Sequence, residues 1–371
     1  MRYSINRREF LKQGAFGAAA LGAGLKPAYA AVISPGRVAR AERRFAKVNV
    51  SWDRVIRTVV GLRPFRPSGF RVEAERIENK TVIHNYGHGR SGVTLSWGTS
   101  HFAVQEALRT AERRYAVIGC GAVGLATARL LQRRGFDVTI YAKDLPPNTT
   151  SNIAGAVWDA DPTDVAPEVR ELYIRAARLS HRYFQEMVGD YYGVRWVENY
   201  SESKDEVRRS HGSESPLHDL YPDFKQLGRK EHLFAPPYVL RWFTMLIEPP
   251  IYLNAVLRDF LLAGGRIVVR DFPDLKALLE LPEPVIMNCM GLGAKALFGD
   301  EELMPVKGQL TVLLPQPEID YIVDIAGDMI PRKDGILLGS TWEPGVWTLE
   351  PNQEAMQRIM NAHIEFFTRM K

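Results

Sequence analysis

The feature that most constrains this chain is the stretch YAVIGCGAVGLATARLLQRRGFDVTIYAK, residues 115–143. An apolar strand leads into the glycine pattern G-x-G-x-x-G, a helix follows, and a second apolar strand completes a unit of about 30 residues. Because such crossovers are right-handed, the two strands should be parallel, and we predict an α/β fold with a Rossmann-like dinucleotide site. The pattern leaves NAD and FAD both open as the cofactor. The expected phosphate cradle consists of Gly119, Cys120, Gly121, Ala122, Val123 and Gly124.

The residues that follow this unit are also suited to a cofactor. Lys143 stands at the strand end where an acid usually binds the adenosine ribose, so either Asp144 takes that role from a shifted position or backbone groups do. The polar run after it can donate to phosphate or to a flavin ring, although an ordinary polar loop would look similar. We expect cofactor contacts from Thr149, Thr150, Ser151, Asn152, Ala154 and Gly155.

The first thirty residues form a separate unit. Arg7 and Arg8 precede a small apolar stretch, and Ala28-Tyr29-Ala30 forms an A-x-A cleavage site, which is typical of a twin-arginine export signal. A basic, weakly helical N-terminus is the alternative. Residues 1–30 hold five of the 48 lysines and arginines and one of the 43 acids, so their removal lowers the net charge from +5 to +1. We therefore expect a periplasmic or secreted protein that meets the twin-arginine translocase and has no nucleic-acid partner.

The chain has 371 residues, of which 46% are hydrophobic, and its length suggests two or three domains. Residues 203–230 are polar and charged, and we predict a surface loop or lid there. Hydrophobic periodicity predicts further strands at 70–77, 81–86, 266–272, 284–293, 306–315 and 334–342, and helices at 93–114, 166–189, 247–265 and 350–370.

The chain's only cysteines, Cys120 and Cys289, make a disulfide framework unlikely, and no Cys/His spacing suits a metal ion. The loop HNYGHGR at 84–90 contains two histidines, which we interpret as turn and packing residues. We expect no metal site.

Four further segments carry a specific resemblance. They are GLRPFRP at 61–67, VIHNYGHGRSGVTLSWG at 82–98, IYAKDLPPNTTSNIAGAVW at 140–158 and NCMG at 288–291. Together with GCGAVG, these segments resemble the D-amino acid oxidase family of FAD enzymes. The resemblance covers nearly all of the chain after the signal. In that family the glycine fingerprint opens the chain, and the GLRPFRP and HNYGHG segments close it. This sequence therefore resembles a circular permutant, which is tolerable because the termini of compact domains often lie close together.

The resemblance implies two domains, each discontinuous in sequence: a Rossmann-like FAD-binding domain and a mixed-sheet substrate domain. After the signal and a linker at 31–46, the substrate domain is expected at 47–63, 157–248 and 303–371, and the FAD-binding domain at 64–156 and 249–302.

The resemblance also implies a site. Arg63 matches the arginine that binds the substrate carboxylate, a task for a guanidinium fork, with a surface arginine as the alternative. Where the family reads GHGG this chain reads GHGR, so Arg90 would offer its backbone carbonyl to the substrate amine and would be strained if that backbone needs a positive φ. Asp328 stands near the position of a carboxylate-binding tyrosine and would compete for Arg63, unless the alignment slips there by a residue or two. The loop and strand-end residues implied to contact the flavin are Gly89, Gly92, Val93, Thr94 and Gly291.

Together these implications describe an exported FAD-dependent D-amino acid oxidase that takes a D-amino acid or related amine and dioxygen, with a homodimer as one expected assembly. One alternative is an oxidase or dehydrogenase for another amine or an acidic D-amino acid, with Arg90 as a second anion anchor. Another is a flavoprotein that has lost turnover. An NAD-dependent dehydrogenase is disfavoured, because the threonine-rich loop and HNYGHG would have no task in it.

Overall fold

The computed structural model describes residues 45–163, 165–203 and 215–370, most of them in a compact unit that begins at Ala46. The predicted signal and nearly all of the predicted linker lie outside these residues. The strands are β1 (Val55–Phe65), β2 (Arg71–Ile77), β3 (Lys80–Tyr86), β4 (Arg114–Ile118), β5 (Asp137–Ala142), β6 (Val194–Ser203), β7 (Lys225–Gly228), β8 (Tyr238–Ile247), β9 (Arg266–Val269), β10 (Val285–Asn288), β11 (Met304–Leu313), β12 (Tyr321–Asp324), β13 (Asp328–Arg332), β14 (Gly335–Gly339) and β15 (Glu343–Pro344). The α-helices are α1 (Ser96–Ala107), α2 (Ala122–Gln132), α3 (Thr150–Ile153), α4 (Pro167–Glu186), α5 (Pro249–Leu262), α6 (Leu275–Leu279), α7 (Gly293–Phe298) and α8 (Gln353–Arg369).

The smaller sheet carries the dinucleotide motif and has the order β2-β3-β10-β4-β5-β9. All neighbours are parallel except the β2–β3 hairpin. Successive residues of a strand face opposite sides, so Val117 packs with the helices α1, α2, α4 and α5, while Ala116 and Ile118 pack in the core beneath α6. The parallel β-α-β unit predicted from the sequence is confirmed, and both faces of its sheet are covered, as a parallel sheet requires.

The larger sheet has the order β1-β11-β14-β13-β12-β6-β8-β7, with β15 also paired to β11. Its neighbours are antiparallel except β12 and β6, which makes the sheet mixed as expected. Its nine strands lie within the ranges predicted for the substrate domain, except for the last two residues of β1. The six strands of the smaller sheet lie within the ranges predicted for the FAD-binding domain.

One helix crosses that predicted division. The range assigned to the substrate domain includes α4, yet this helix packs tightly on α1 above the smaller sheet. A Cβ on Gly98 of α1 would come within 2.0 Å of the carbonyl oxygen of Ala176 in α4. The exact division into two domains therefore stays a prediction.

Two predicted elements differ from the structure. The helix predicted at 93–114 ends at Ala107, where the Thr110 hydroxyl donates to the Ala107 carbonyl (2.7 Å), and Arg114 already begins β4. The loop predicted at 203–230 is wrong in part, because Lys225–Gly228 forms the edge strand β7 with Leu227 buried. Residues 204–214 lie outside the described part of the chain.

Across the described residues, no helix is both long and apolar enough to cross a membrane.

Candidate functional site

A cavity of about 810 Å³ lies between the carboxyl edge of the smaller sheet and the strands β1, β11 and β13 of the larger one. Cofactor and ligand pockets commonly span about 300–1,000 Å³. Because β3, β4, β5, β9 and β10 are parallel, the loops that follow them meet at the same edge. The predicted site residues that line the cavity are Arg63, Gly89, Arg90, Gly92, Val93, Thr94, Gly119, Cys120, Gly121, Ala122, Val123, Gly124, Lys143, Asp144, Thr149, Thr150, Ser151, Ala154, Gly155, Gly291 and Asp328.

The fingerprint glycines are required by close backbone approaches. Gly119 follows β4 with φ of +109°, and a Cβ there would come within 2.5 Å of the Cys289 carbonyl oxygen. At Gly124 a Cβ would come within 2.0 Å of the Gly119 carbonyl oxygen. The loop therefore folds tightly against the end of β10, and the N-terminus of α2 lines the cavity, which is the arrangement that binds a pyrophosphate.

The polar loop after β5 contributes unequally to the site. The Ser151 hydroxyl accepts a hydrogen bond from the Ala122 backbone N–H (3.0 Å) at the start of α2, so it lies at the phosphate cradle. Asn152 does not line the cavity, and the expectation that it contacts the cofactor finds no support. Its side chain is buried and its oxygen accepts from the Thr149 hydroxyl (2.8 Å), which holds the turn together instead.

The far end of the cavity follows β5 and β9. Lys143 lies there with its ammonium 3.8 Å from Asp271, and Asp144 lines the same wall. Asp271 and its neighbours Arg270 and Phe272 were not predicted as site residues. The signal was available, because they directly follow a parallel strand and such strand ends carry ligand contacts in open α/β sheets.

The HNYGHGR loop forms the wall between the two ends. Gly87 and Gly89 have positive φ values of 86° and 57°. His88 is buried, stacks on Phe70 with ring centroids 5.4 Å apart and bonds the Thr99 hydroxyl (2.9 Å). Burial lowers the pKa of His88 to about 3, so its ring is neutral. The interpretation of this histidine as a packing residue is confirmed, and the described residues contain no group of three or more His, Cys, Asp or Glu placed to hold a metal ion.

Arg63 lies on β1, in the part of the cavity wall that the larger sheet contributes. Its guanidinium donates to the Thr341 carbonyl (3.1 Å) and lies 5.6 Å from the ring centre of Trp342. It also covers Gly308 of β11, where a Cβ would come within 2.1 Å of the Arg63 Nη1 atom. Burial lowers the pKa of Arg63, and the charge of Asp328 opposes that shift. The guanidinium is thus held in place by shape and faces the cavity.

Asp328 begins β13 and faces the same end of the cavity. Burial raises its pKa to about 6, and the nearby charge of Asp324 adds to this effect. A hydrogen bond from the Ser340 hydroxyl (3.2 Å), Arg90 and Arg63 act in the opposite direction. The expected proximity of Asp328 to Arg63 is therefore present, and the cavity holds both a cation and a group that ionises near neutral pH.

Arg90 has an ordinary negative φ in a 3-10 turn at Gly89–Ser91, so the anticipated backbone strain does not arise. Its guanidinium is 73% exposed and lies 3.7 Å from the Asp159 carboxylate. Asp159 was missed from the sequence, since a lone aspartate after β5 carries no pattern. Burial raises the pKa of Asp159, while Arg90 and a hydrogen bond from the Tyr221 hydroxyl (3.3 Å) oppose that rise. The Arg90 side chain is therefore already engaged by a carboxylate.

Comparisons with known proteins agree with this geometry. A model of the DAO family, described as FAD dependent oxidoreductase, matches residues 114–370. A D-amino-acid oxidase of Rubrobacter xylanophilus is 30% identical over 256 residues, which is 67% of this chain and 75% of the relative. A D-aspartate oxidase of Homo sapiens is 28% identical over 264 residues, 67% of this chain and 74% of the relative.

Two solved structures show the same fold. Glycine oxidase from Bacillus cereus has a TM-score of 0.53 at 16% identity, covering 68% of this chain and 79% of its own. L-alpha-glycerophosphate oxidase from Mycoplasma pneumoniae, solved with FAD bound, has a TM-score of 0.53 at 15% identity and covers 70% and 79%. The bare glycine cradle and the cavity that runs from it to Arg63 fit such a cofactor. With a family match over residues 114–370, this enzyme belongs to the DAO family of FAD dependent oxidoreductases, and FAD is its cofactor.

Proposed function

We propose that this protein oxidises D-amino acids to 2-oxo acids, with release of ammonia and hydrogen peroxide. The observation that carries the proposal is that Arg63 and Asp328 line one cavity with the dinucleotide cradle. An α-amino acid is a zwitterion, and a fixed guanidinium beside a carboxylate offers one partner to each of its charges. The D-amino-acid oxidase that is 30% identical to this chain supports the same substrate class.

The residues of the chain would mainly bind and orient the substrate. Arg63, held by Thr341 and Trp342, receives the α-carboxylate, and Asp328 receives the α-ammonium or takes up its proton. The Arg90 carbonyl is the further amine partner that the resemblance implies. FAD held at the cradle of Gly119, Gly121 and Gly124 would supply the acceptor for the hydride of the α-carbon, with dioxygen as the final acceptor of the two electrons. The imino acid that remains reacts with water to give the 2-oxo acid and ammonia, and holding the substrate in one pose contributes most of the protein's effect.

Anaerobic mixing with a panel of D-amino acids tests this proposal. FAD-loaded protein should lose its visible flavin absorbance with at least one D-amino acid and form peroxide when oxygen is admitted. The matching L-amino acids serve as the control. Absence of bleaching with every member of the panel contradicts the proposal.

The variant Arg90→Gly distinguishes the proposed oxidase from the alternative, a flavoprotein that has lost turnover. Arg109→Gly is the matched control, because Arg109 is 75% exposed and lies on the surface next to Glu106. Bleaching that appears only in Arg90→Gly, and not in the wild type or in Arg109→Gly, would identify a protein whose site is blocked by the Arg90 side chain.

We further propose that the chain is a circular permutant of its family. The family match begins at Arg114, and the matched part of the 30%-identical relative leaves a quarter of that protein unmatched. The residues before Arg114 supply β3 to the interior of the smaller sheet and β1 to the larger one. The two ends of the unit also meet, since the Lys47 ammonium donates to the Thr368 carbonyl (3.2 Å) and the Met370 carbonyl (3.0 Å).

A rearranged chain tests the permutation. Residues 114–370 joined through a short Gly/Ser linker to residues 46–113 should fold, bind one FAD and melt within a few degrees of the original. The control is a chain rejoined in the same way but opened between Ala176 and Ala177, which are both fully buried in α4. If the rearranged chain behaves like this control, the permutation proposal is wrong.

We also propose export by the twin-arginine route, supported by the sequence of residues 1–30. That route carries folded proteins, which suits an enzyme that takes up FAD before export. Replacing Arg7 and Arg8 by lysine should leave the precursor in the cytoplasm, as measured by fractionation and immunoblotting. The same replacement of Arg43 and Arg44 is the control, and equal export of both variants contradicts the proposal.

A further inference from the structure

The charged groups at and beside the substrate end of the cavity are more negative than positive. Arg63, Arg90, Asp159 and Asp328 line this end, and Asp324 stands beside it as the cross-strand partner of Asp328 in the hairpin β12–β13. These groups act on one another: Arg90 lowers the pKa of each of the three aspartates. With all five groups ionised, the four lining groups balance and Asp324 leaves a net charge of −1 beside the cavity.

Four of the five groups have evident partners. The Arg90 guanidinium lies 3.7 Å from the Asp159 carboxylate. Arg63 and Asp328 are the proposed partners of the α-carboxylate and α-ammonium of an amino acid. The group left over is Asp324, whose side chain has no ion pair within 4 Å in the described part of the chain.

The position of Asp324 places this unmatched charge beside the site. Asp324 and Asp328 are direct Cα partners in the antiparallel pair β12–β13, so their side chains leave the same face of the sheet about 5 Å apart. Like charges in such positions destabilise a sheet unless a cation compensates them. Arg90 influences both carboxylates, but Asp159 is the one it contacts.

We propose, on the basis of the proposed function, that the preferred substrates are basic D-amino acids such as D-lysine, with Asp324 as the residue that binds the side-chain ammonium. The α-carboxylate then pairs with Arg63, the α-ammonium with Asp328 and the distal ammonium with Asp324. A substrate of net charge +1 would neutralise these five groups. An acidic side chain would instead meet carboxylates and an arginine already paired with Asp159, which disfavours Arg90 as a second anion anchor.

Binding of non-oxidisable acids tests the proposal without turnover. 6-Aminohexanoate is lysine without its α-amine. Hexanoate also lacks the distal ammonium, and adipate has a distal carboxylate in its place. Titration of FAD-loaded protein by calorimetry should give 6-aminohexanoate about tenfold tighter binding than hexanoate, the effect of roughly one partly buried ion pair. Adipate should bind weakest. Equal binding of 6-aminohexanoate and hexanoate, or tighter binding of adipate, overturns the proposal.

Asp324→Asn identifies the residue responsible. It should abolish the advantage of 6-aminohexanoate over hexanoate, whereas Glu318→Gln, which removes an exposed acid between β11 and β12, should retain it. If Asp324→Asn folds poorly, a salt titration of the wild-type protein takes its place. The ratio of the affinities for 6-aminohexanoate and hexanoate should then fall as ionic strength rises. An advantage that survives both changes rules out Asp324 as the ammonium partner.

Turnover distinguishes failure of this inference from failure of the proposed function. D-Lysine should exceed its uncharged isostere D-norleucine in kcat/KM by a similar factor. Oxidation of D-norleucine with no preference for D-lysine would refute the specificity and leave the D-amino acid oxidase function intact. If no D-amino acid reduces the flavin, the function fails, and the calorimetric comparison still decides whether the cavity selects a distal ammonium.

Discussion

The two ends of the cavity recognise their ligands by different means. At the cofactor end, recognition depends on bare backbone: Gly119 and Gly124 are positions where any side chain would collide with a carbonyl oxygen. The end proposed to bind the substrate is lined instead by charged side chains, of which Arg63 and Asp328 are separated by 265 positions in the chain. Shape at one end is set within a few consecutive residues, whereas charge at the other is set by how two sheets come together.

This difference predicts separable defects. A side chain added at the cofactor end should impair FAD binding with any substrate. A charge removed at the substrate end should impair turnover while the protein still binds FAD. A variant that breaks both together would show that the two ends are not independent.

The largest expected effect is that of Arg63→Ala. Removing one member of a buried charged contact should lower kcat/KM for D-amino acids by about a hundredfold to a thousandfold. The FAD content should stay that of the wild type, because Arg63 lies on β1 of the larger sheet, whereas the cradle follows β4 of the smaller sheet. Steady-state kinetics and the flavin-to-protein absorbance ratio measure the two quantities. Arg57→Ala, which removes a 44%-exposed arginine from the same strand, is the control. Loss of FAD in Arg63→Ala alone would contradict the separation.

Gly124→Ala should produce the converse defect. The added methyl group meets the Gly119 carbonyl oxygen at 2.0 Å, and the backbone must move for it to fit. Overpacking of this kind should weaken FAD binding by about a hundredfold, as measured by titration of the apoprotein. Gly228→Ala is the control. Its new Cβ would have its nearest neighbour at 3.6 Å, an ordinary contact, so this variant should bind FAD with the wild-type affinity. Unchanged affinity in Gly124→Ala would mean that the cradle does not bind the pyrophosphate.

The same contrast explains which parts of this protein were predictable. The unit β4–α2–β5 and its glycines follow from consecutive residues, because strand periodicity, turn and helix are all local. Arg63 was found only through a resemblance to a family. Asp159 was missed, because its role depends on Arg90 reaching it across the cavity, and no pattern in the sequence encodes that distance. Asn152 was expected to contact the cofactor, but its neighbours line the cavity while its own side chain is buried and bonds Thr149.

Gly308→Ala examines whether shape also matters at the substrate end. A Cβ on Gly308 would overlap the Arg63 guanidinium at 2.1 Å, so the guanidinium must move while its charge is kept. We expect KM for D-amino acids to rise about tenfold, because a displaced fork loses one of its two hydrogen bonds to a carboxylate. FAD content should not change. Wild-type KM in this variant would indicate that net charge alone, without a fixed guanidinium, binds the substrate.

The smallest expected effect concerns the stability of Asp328→Asn as a function of pH. Burial raises the pKa of Asp328 to about 6, Asp324 adds to the rise, and Arg90 and Arg63 oppose it. His363 also approaches this hairpin, and burial lowers its pKa. An aspartate whose pKa is raised on folding stabilises the fold fully below its unfolded value, near 3.8, and this contribution is lost as the pH rises through 6.

Asparagine is neutral at every pH, so the variant does not lose stability when the pH rises, whereas the wild-type protein does as Asp328 ionises. The melting temperature of Asp328→Asn relative to wild type should therefore increase by about 3 °C between pH 5 and pH 7.5. Asp334→Asn provides a control of opposite sign. Although burial raises the pKa of Asp334, Arg332 and Arg57 lower it overall, so ionised Asp334 stabilises the fold and its replacement should lower the melting temperature at neutral pH. That deficit should hardly change between pH 5 and pH 7.5, because the pKa of Asp334 lies below its ordinary value of 3.8. If the relative melting temperature of Asp328→Asn is equally constant over this range, the pKa of Asp328 is not raised by its surroundings.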